Sequence, residues 1–239
     1  MELTRHVRLY RARVLFHLSS PLRPEIDWLN SISLKHIKNY QIWHHRQTVI
    51  TALGTPSGEA EFLTQMFEKD AKNYHVWSYR HWLVRKFDMW DQGELEETER
   101  LLRRDVRNNS AWNHRWFLVF GLEQEVSEAV WDREYDYAKD AIRVAPQNES
   151  PWNYLRGLLK KNGKQYKDLE TFAEEFASVD EGAKVRSSYA LDFLATAYSE
   201  ENTKTDEAMR ALDLLANKYD PIRCNYWNYR KSLITEGLA

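Results

Sequence analysis

At 239 residues, with 43% hydrophobic and 13% aromatic residues, the chain can bury a continuous core, which excludes disorder over most of its length. Lys plus Arg (34) and Asp plus Glu (36) nearly cancel to a formal charge of -2, so no basic field points to nucleic acid or to an anionic membrane surface. No apolar run approaches the roughly 20 residues of a membrane span, no signal-peptide pattern opens the chain, and the lone Cys224 rules out an intrachain disulfide framework, so a reducing, cytoplasmic setting is expected.

In chain order, residues 2–18 read as a degraded first repeat, because Arg11 stands 35 residues before Arg46 and Arg8 stands 35 before Trp43. Arg8 then takes the tryptophan position and Thr4 the asparagine position. Ser19 to Pro24 punctuates the chain, since each proline disfavours helix in the residue before it. From Glu25 to Lys38, Ile26, Leu29 and Ile32 recur at helical spacing and predict the first helix of a hairpin whose second helix carries Trp43. The next pair repeats the plan, with Phe62, Leu63, Met66 and Phe67 on its first helix and Trp77, His81 and Val84 on its second.

Glu94, Glu96, Glu97 and Glu99 open the following helix and Arg100, Arg103 and Arg104 close it, an order that complements the helix macrodipole. Leu95, Leu102 and Val106 are expected on its buried side. Ser127 is a candidate N-cap for a helix with Trp131, Tyr135, Ala138 and Ile142 on one face, ended by Pro146. Gly163 is expected to terminate the Trp152 helix, and Leu169, Phe172 and Phe176 mark another. A repeat without tryptophan is expected around Tyr189 to Tyr198, with Tyr189 in the tryptophan position. Ala208, Leu212 and Leu215 form the last first helix, and Trp227 with Arg230 the last second helix.

The tryptophans therefore recur at 43, 77, 112, 152 and 227, with gaps of 34, 35, 40 and 75, the last close to two periods. In the first four repeats an asparagine stands four residues earlier (Asn39, Asn73, Asn108, Asn148). An arginine follows three residues later at Arg46, Arg80 and Arg115, slipping by one to Arg156. Such a period predicts an all-α array of antiparallel helix pairs, an alpha-alpha superhelix that curves into a crescent, filling residues 1–239 as a single domain. Tryptophan supplies packing area, and asparagine can accept from the free N–H groups that open a helix. Lys38 and Lys72 are not required by packing or capping; each sets a positive charge beside a helix N-terminus, where an anion is already favoured. Solvated lysine and an anion site both remain open on spacing alone. His44 and His45 do not suggest a metal site, since adjacent helical residues diverge by about 100 degrees and no matching ligand pattern accompanies them.

The segments KNYQIWHHR (38–46), DAKNYHVWSYRHW (70–82), DVRNNSAWNHRWF (105–117), NESPWNYLRG (148–157) and DPIRCNYWNYR (220–230) resemble the alpha subunit shared by protein farnesyltransferase and type I protein geranylgeranyltransferase. The resemblance implies an obligate heterodimer with a barrel-shaped beta subunit. That enzyme would transfer a farnesyl or geranylgeranyl group from its diphosphate to the cysteine of a C-terminal CaaX sequence. Zinc and magnesium would belong to the assembled enzyme, with the zinc ligands in the beta subunit and no metal held by this chain. Carried over residue by residue, the diphosphate-contacting lysine falls on Lys38, the active-site tyrosines on Tyr40 and Tyr74, the histidine on His75, and the glutamine that meets the substrate carboxylate on Gln41. Lys72 and the arginines stay structural. The family's first repeat normally has its own tryptophan, and here it is reduced to Arg8–Arg11. The other readings are the alpha subunit of Rab geranylgeranyltransferase and a non-catalytic tetratricopeptide-like scaffold.

Overall fold

The structure, a computed structural model, describes residues 5–237 except 92, 123, 181 and 183, with side chains from Tyr10 onward except Asn202. Thr4 and the side chain of Arg8, both assigned to the degraded first repeat, lie outside the described residues. Every regular element among the described residues is helical. The contacts gather into two compact units, one made of the chain up to Arg103 with Asn108–Leu122, the other of Arg104–Arg107 with the chain after Leu122.

The first unit holds α1 (Arg5–His17), α2 (Arg23–Lys35), α3 (Tyr40–Leu53), α4 (Glu59–Lys69), α5 (Tyr74–Phe87), α6 (Glu94–Arg104) and α7 (Asn109–Phe120). Here α2 packs on α3 and α4 on α5, while α1, α3, α5 and α7 contact one another in succession as a row of second helices. The tryptophans explain this row: Trp43, Trp77 and Trp112 are all buried, Trp43 against Phe62 and Tyr79, and Trp77 against Phe67 and His114. Trp43 and Trp77 each fill the space between one pair and the next, which is how a repeat that cannot bury its own apolar face gains a core.

The second unit holds α8 (Glu128–Val144), α9 (Glu149–Lys161), α10 (Glu170–Glu174), α11 (Ser188–Ser199), α12 (Thr205–Leu214) and α13 (Cys224–Thr235). Again first and second helices pair, α8 with α9, α10 with α11 and α12 with α13. Trp131, Tyr135, Ala138 and Ile142 are buried on one face of α8, and Ala208, Leu212 and Leu215 are fully buried near the end of the chain. Ser127 occupies the N-cap position of α8 but makes no side-chain cap bond.

Two expectations need correction. The buried side of α6 is Glu94, Thr98, Leu101 and Leu102, with Leu95 and Val106 only half-buried, so Glu94 serves a buried ion pair rather than the macrodipole alone. In the repeat that lacks tryptophan, Ser187 caps α11 by accepting from Ala190 N at 3.2 Å. Four residues past that cap is Leu191, fully buried, whereas Tyr189 is half-buried. The cap, not the nearest aromatic ring, sets the register.

Candidate functional site

All five residues predicted for the site stand at the N-termini of α3 and α5, and the asparagines put them there. Asn39 Oδ1 accepts from Gln41 N at 3.1 Å, so α3 starts with Tyr40 and Gln41 in its first turn and Lys38 just before the cap. Asn73 Oδ1 accepts from His75 N at 2.9 Å and Val76 N at 3.3 Å, which gives Tyr74 and His75 the same two positions on α5. Capping satisfies N–H groups that would otherwise have no partner.

The asparagine amide also has a second role. Asn73 Nδ2 lies 3.4 Å from the Ile37 carbonyl, and Asn108 Nδ2 lies 3.1 Å from the Ala71 carbonyl. In the second unit Asn148 Nδ2 donates to the Val106 carbonyl at 2.8 Å, and Ser187 Oγ donates to the Pro146 carbonyl at 2.6 Å. Each cap thus holds its own helix with its oxygen and the link that precedes the neighbouring second helix with its donor. Through Asn73, the segment ending in Lys38 is tied to the segment beginning with Tyr74.

Lys38 is exposed and has no ion-pair partner among the described residues. Tyr40 and Tyr74 are 60% and 77% exposed, far more than folded tyrosines with a buried role, so their hydroxyls are available to a ligand or a partner. Gln41 is half-buried, its Nε2 3.5 Å from the Tyr40 hydroxyl, and the Tyr74 and His75 rings meet edge to face at 5.6 Å. One ammonium, two hydroxyls, an amide and an imidazole therefore share an edge where two helix N-termini favour negative charge. His44 is exposed while His45 is buried with Nε2 2.7 Å from Glu25 Oε1, so the adjacent histidines diverge as expected.

Beneath this edge the arginines are structural. Arg46 is fully buried and makes two parallel bonds of 2.7 Å to Glu59, whose Oε2 also accepts from the Tyr79 hydroxyl at 2.6 Å. Arg80 and His114 meet on Glu94 at 2.7 and 3.0 Å, and Arg11 with His45 meets on Glu25. In the second unit the Tyr154 hydroxyl donates to Glu134 at 2.7 Å. The glutamate always precedes its His or Tyr by 20 residues. Arg11 pairs with Glu25 as Arg46 pairs with Glu59 and Arg80 with Glu94. Sequence inspection missed the glutamates, although that constant spacing was the available signal.

Burial raises the affinity of Glu25 for a proton, yet the bonds from His45 and Arg11 outweigh it and bring its pKa down to about 2. Burial, then the nearby His114, Arg85 and Arg80 charges, push His81 down to about 4; burial outweighs the Glu94 bond and takes His114 to about 4 as well. The two imidazoles are stacked, centroids 4.9 Å apart. An unfolded chain takes up protons on both histidines as pH falls through 6.5, whereas the folded chain refuses them until about 4. Stability at pH 5 should therefore lie about 2–4 kcal/mol below that at pH 7, half-buried His81 supplying the smaller share because solvent screens it. Glu25 adds nothing there, since its contribution is lost only as pH falls from about 4.5 toward 2. Urea midpoints at the two pH values measure the difference, and equal midpoints would disprove it.

Caps that open α3, α5, α7, α9 and α11, indoles that pack all of these but α11, and arginine–glutamate pairs that join one helix pair to the next define a helix-pair repeat protein. The model of the protein prenyltransferase alpha subunit repeat matches residues 22–53, 56–87, 91–122 and 131–162, and the chain belongs to that family. It is 42% identical over 245 residues to a Candida albicans protein farnesyltransferase/geranylgeranyltransferase type-1 subunit alpha, covering 98% of this chain and 79% of that protein. The Schizosaccharomyces pombe protein of the same name is 47% identical over 154 residues, which are 64% of this chain and 52% of that one. In structure the chain is similar to Candida albicans protein geranylgeranyltransferase-I complexed with GGPP, with a TM-score of 0.92 and 39% identity across 97% of this chain and 79% of that one.

Proposed function

We propose that this chain is the alpha subunit of a heterodimeric protein prenyltransferase. With a beta subunit it moves a farnesyl or geranylgeranyl group from its diphosphate to the cysteine thiol of a CaaX C-terminus, in the cytoplasm. The carbon–oxygen bond to diphosphate breaks, a carbon–sulfur bond forms, the thiol gives up its proton, and the diphosphate leaves with the electron pair. The observation that carries this reading is the shared edge of α3 and α5, where Lys38 stands exposed and unpaired among the described residues in a chain of the prenyltransferase alpha family.

In this reading Lys38 faces the departing diphosphate, with Tyr40, Tyr74 and His75 completing its polar surroundings. Gln41 offers its amide to the carboxylate of the protein substrate. A cation fixed where charge develops stabilises the transition state more than the ground state. Among the described residues no three His, Cys, Asp or Glu side chains gather closely enough to hold a metal. In this reading the zinc that activates the substrate thiol belongs to the beta subunit, and magnesium to the bound diphosphate. No described helix is long and apolar enough to cross a membrane.

Coexpression with a farnesyltransferase-type and with a geranylgeranyltransferase-type beta subunit, followed by assays with CaaX peptides and both isoprenoid diphosphates, tests this. A stable complex that transfers at least one isoprenoid is expected. Assembly with neither partner, or assembled complexes without transfer, would sink the reading.

A further inference from the structure

We propose that Asn73 is a positioning residue for Lys38, acting from the neighbouring repeat; the inference rests on the catalytic reading of Lys38 given above. The link that carries Lys38 runs from the end of α2 at Lys35 to the start of α3 at Tyr40. One donor from the next repeat holds the end of α2 before it, and another holds the link itself. Lys69 Nζ donates to the Leu34 carbonyl at 3.2 Å, and Asn73 Nδ2 lies 3.4 Å from the carbonyl of Ile37, the residue directly before Lys38. Asp70 fixes the orientation of that amide, since its Oδ2 accepts from the same Nδ2 at 3.2 Å. The Asn73 oxygen is thereby left facing His75 N and Val76 N. One side chain thus sets the backbone on both sides of the site, Lys38 through its donor and Tyr74 with His75 through its acceptor.

The corresponding link in the next repeat shows why Lys38 depends on this contact more than its counterpart does. There the Ala71 carbonyl receives two bonds, one from Trp77 Nε1 at 2.9 Å and one from Asn108 Nδ2. The Pro146 carbonyl likewise receives Trp152 Nε1 at 2.9 Å and Ser187 Oγ. At the first link the indole contributes nothing, because Trp43 Nε1 is buried without a partner. Among the described residues the Ile37 carbonyl is held by Asn73 alone. A misplacement of about 1 Å at a reacting group can cost on the order of 100-fold in rate, so the loss of this single anchor acts on chemistry.

Two substitutions separate the roles of Asn73. Asn73→Asp keeps the cap oxygen but exchanges the amide donor for an acceptor that repels the Ile37 carbonyl. Asn73→Ser keeps both functions, as Ser187 demonstrates by capping α11 and donating to Pro146 at once. Asn108→Asp is the control, because it removes the same donor at the link before Tyr74, where the Ala71 carbonyl keeps its tryptophan bond and Lys38 is not involved. The assay is single-turnover transfer by the assembled alpha–beta complex, with isoprenoid-diphosphate affinity measured alongside. Asn73→Asp is expected to slow the chemical step by roughly tenfold with little change in affinity. Asn73→Ser should restore the rate to within about threefold and Asn108→Asp should leave it unchanged.

Coupling to Lys38 decides the mechanism. On a Lys38→Ala background Asn73→Asp should cost nothing further. A loss of the same size on that background, an equal loss in Asn108→Asp, or a wild-type rate in Asn73→Asp each overturns the proposal. If Lys38→Ala itself has the wild-type rate, the catalytic reading fails and takes this inference with it. If Lys38→Ala is slow and Asn73→Asp is not, only the positioning role is lost.

Discussion

Lys38→Ala in the assembled complex is expected to lower the single-turnover transfer rate by about 10²–10³-fold while changing isoprenoid-diphosphate affinity by less than about tenfold. The asymmetry follows from where charge moves. In the bound ground state the diphosphate charge is spread over many oxygens and shared with other contacts. As the carbon–oxygen bond lengthens, charge accumulates on the departing oxygen, and a fixed ammonium there gains interaction energy that it did not have before. Lys38 is suited to this because no carboxylate among the described residues neutralises it, and the N-terminus of α3 adds its own positive end. Lys38→Arg keeps the charge but replaces a compact ammonium by a planar fork, so it should recover only part of the rate. Stability should barely change, since an exposed lysine contributes little to folding. Equal single-turnover rates for Lys38→Ala and wild type would refute the assignment, and if affinity fell while the rate did not, Lys38 would be a binding group only.

Much of this architecture was legible because two of its parts keep fixed distances in the chain. An N-cap and an indole one turn later are local features, so Asn39–Trp43 and Asn73–Trp77 display the start of each second helix without any knowledge of its neighbours. The residues proposed for the site came from the family resemblance and not from spacing, which left Lys38 open between solvent and an anion; Lys38, Tyr40, Gln41, Tyr74 and His75 are all within two residues of a cap. What joins repeats was less visible. Arg46 finds Glu59 across a loop and a helix start, and the partner on the other side of that glutamate alternates between His and Tyr, so no single residue type marks it. Both accept the task because each places a polar hydrogen at the tip of a flat ring that is otherwise apolar.

Where the repeat deviates, local reading failed in an instructive way. Tyr189 was the nearest aromatic to the expected period, but the chain between α10 and α11 is long, and the register there is carried by Ser187. Arg156 also leaves the pattern. With α10 only five residues long, Arg156 Nη2 meets Asp192 of α11 at 2.6 Å, and Arg230 of α13 reaches the same carboxylate. The ion pair survives the change of partner, and the spacing does not.

Glu59→Ala should destabilise the chain by about 3–5 kcal/mol while leaving the transfer rate of whatever complex assembles near that of wild type. Arg46 is wholly excluded from solvent, its guanidinium 3.7 Å from the centre of the Phe62 ring, so water cannot replace the lost carboxylate. Removing Glu59 leaves a buried cation facing only Asn30 Oδ1 at 2.8 Å and a buried Tyr79 hydroxyl without its acceptor. The cost of such an unmatched charge greatly exceeds the net worth of the intact pair, because bringing both ions out of water has already consumed most of their attraction. It follows that the triple variant Arg46→Met, Glu59→Leu, Tyr79→Phe should be far more stable than Glu59→Ala alone and close to wild type. Urea unfolding of the purified complexes, followed by tryptophan fluorescence, measures both; the buried indole of Trp43, 5.2 Å from the Tyr79 ring, packs on this cluster and reports on its opening. If the triple variant proves as unstable as Glu59→Ala, the network contributes net stability through its own bonds. If instead Glu59→Ala unfolds like wild type, the buried charge is not isolated when its partner is removed.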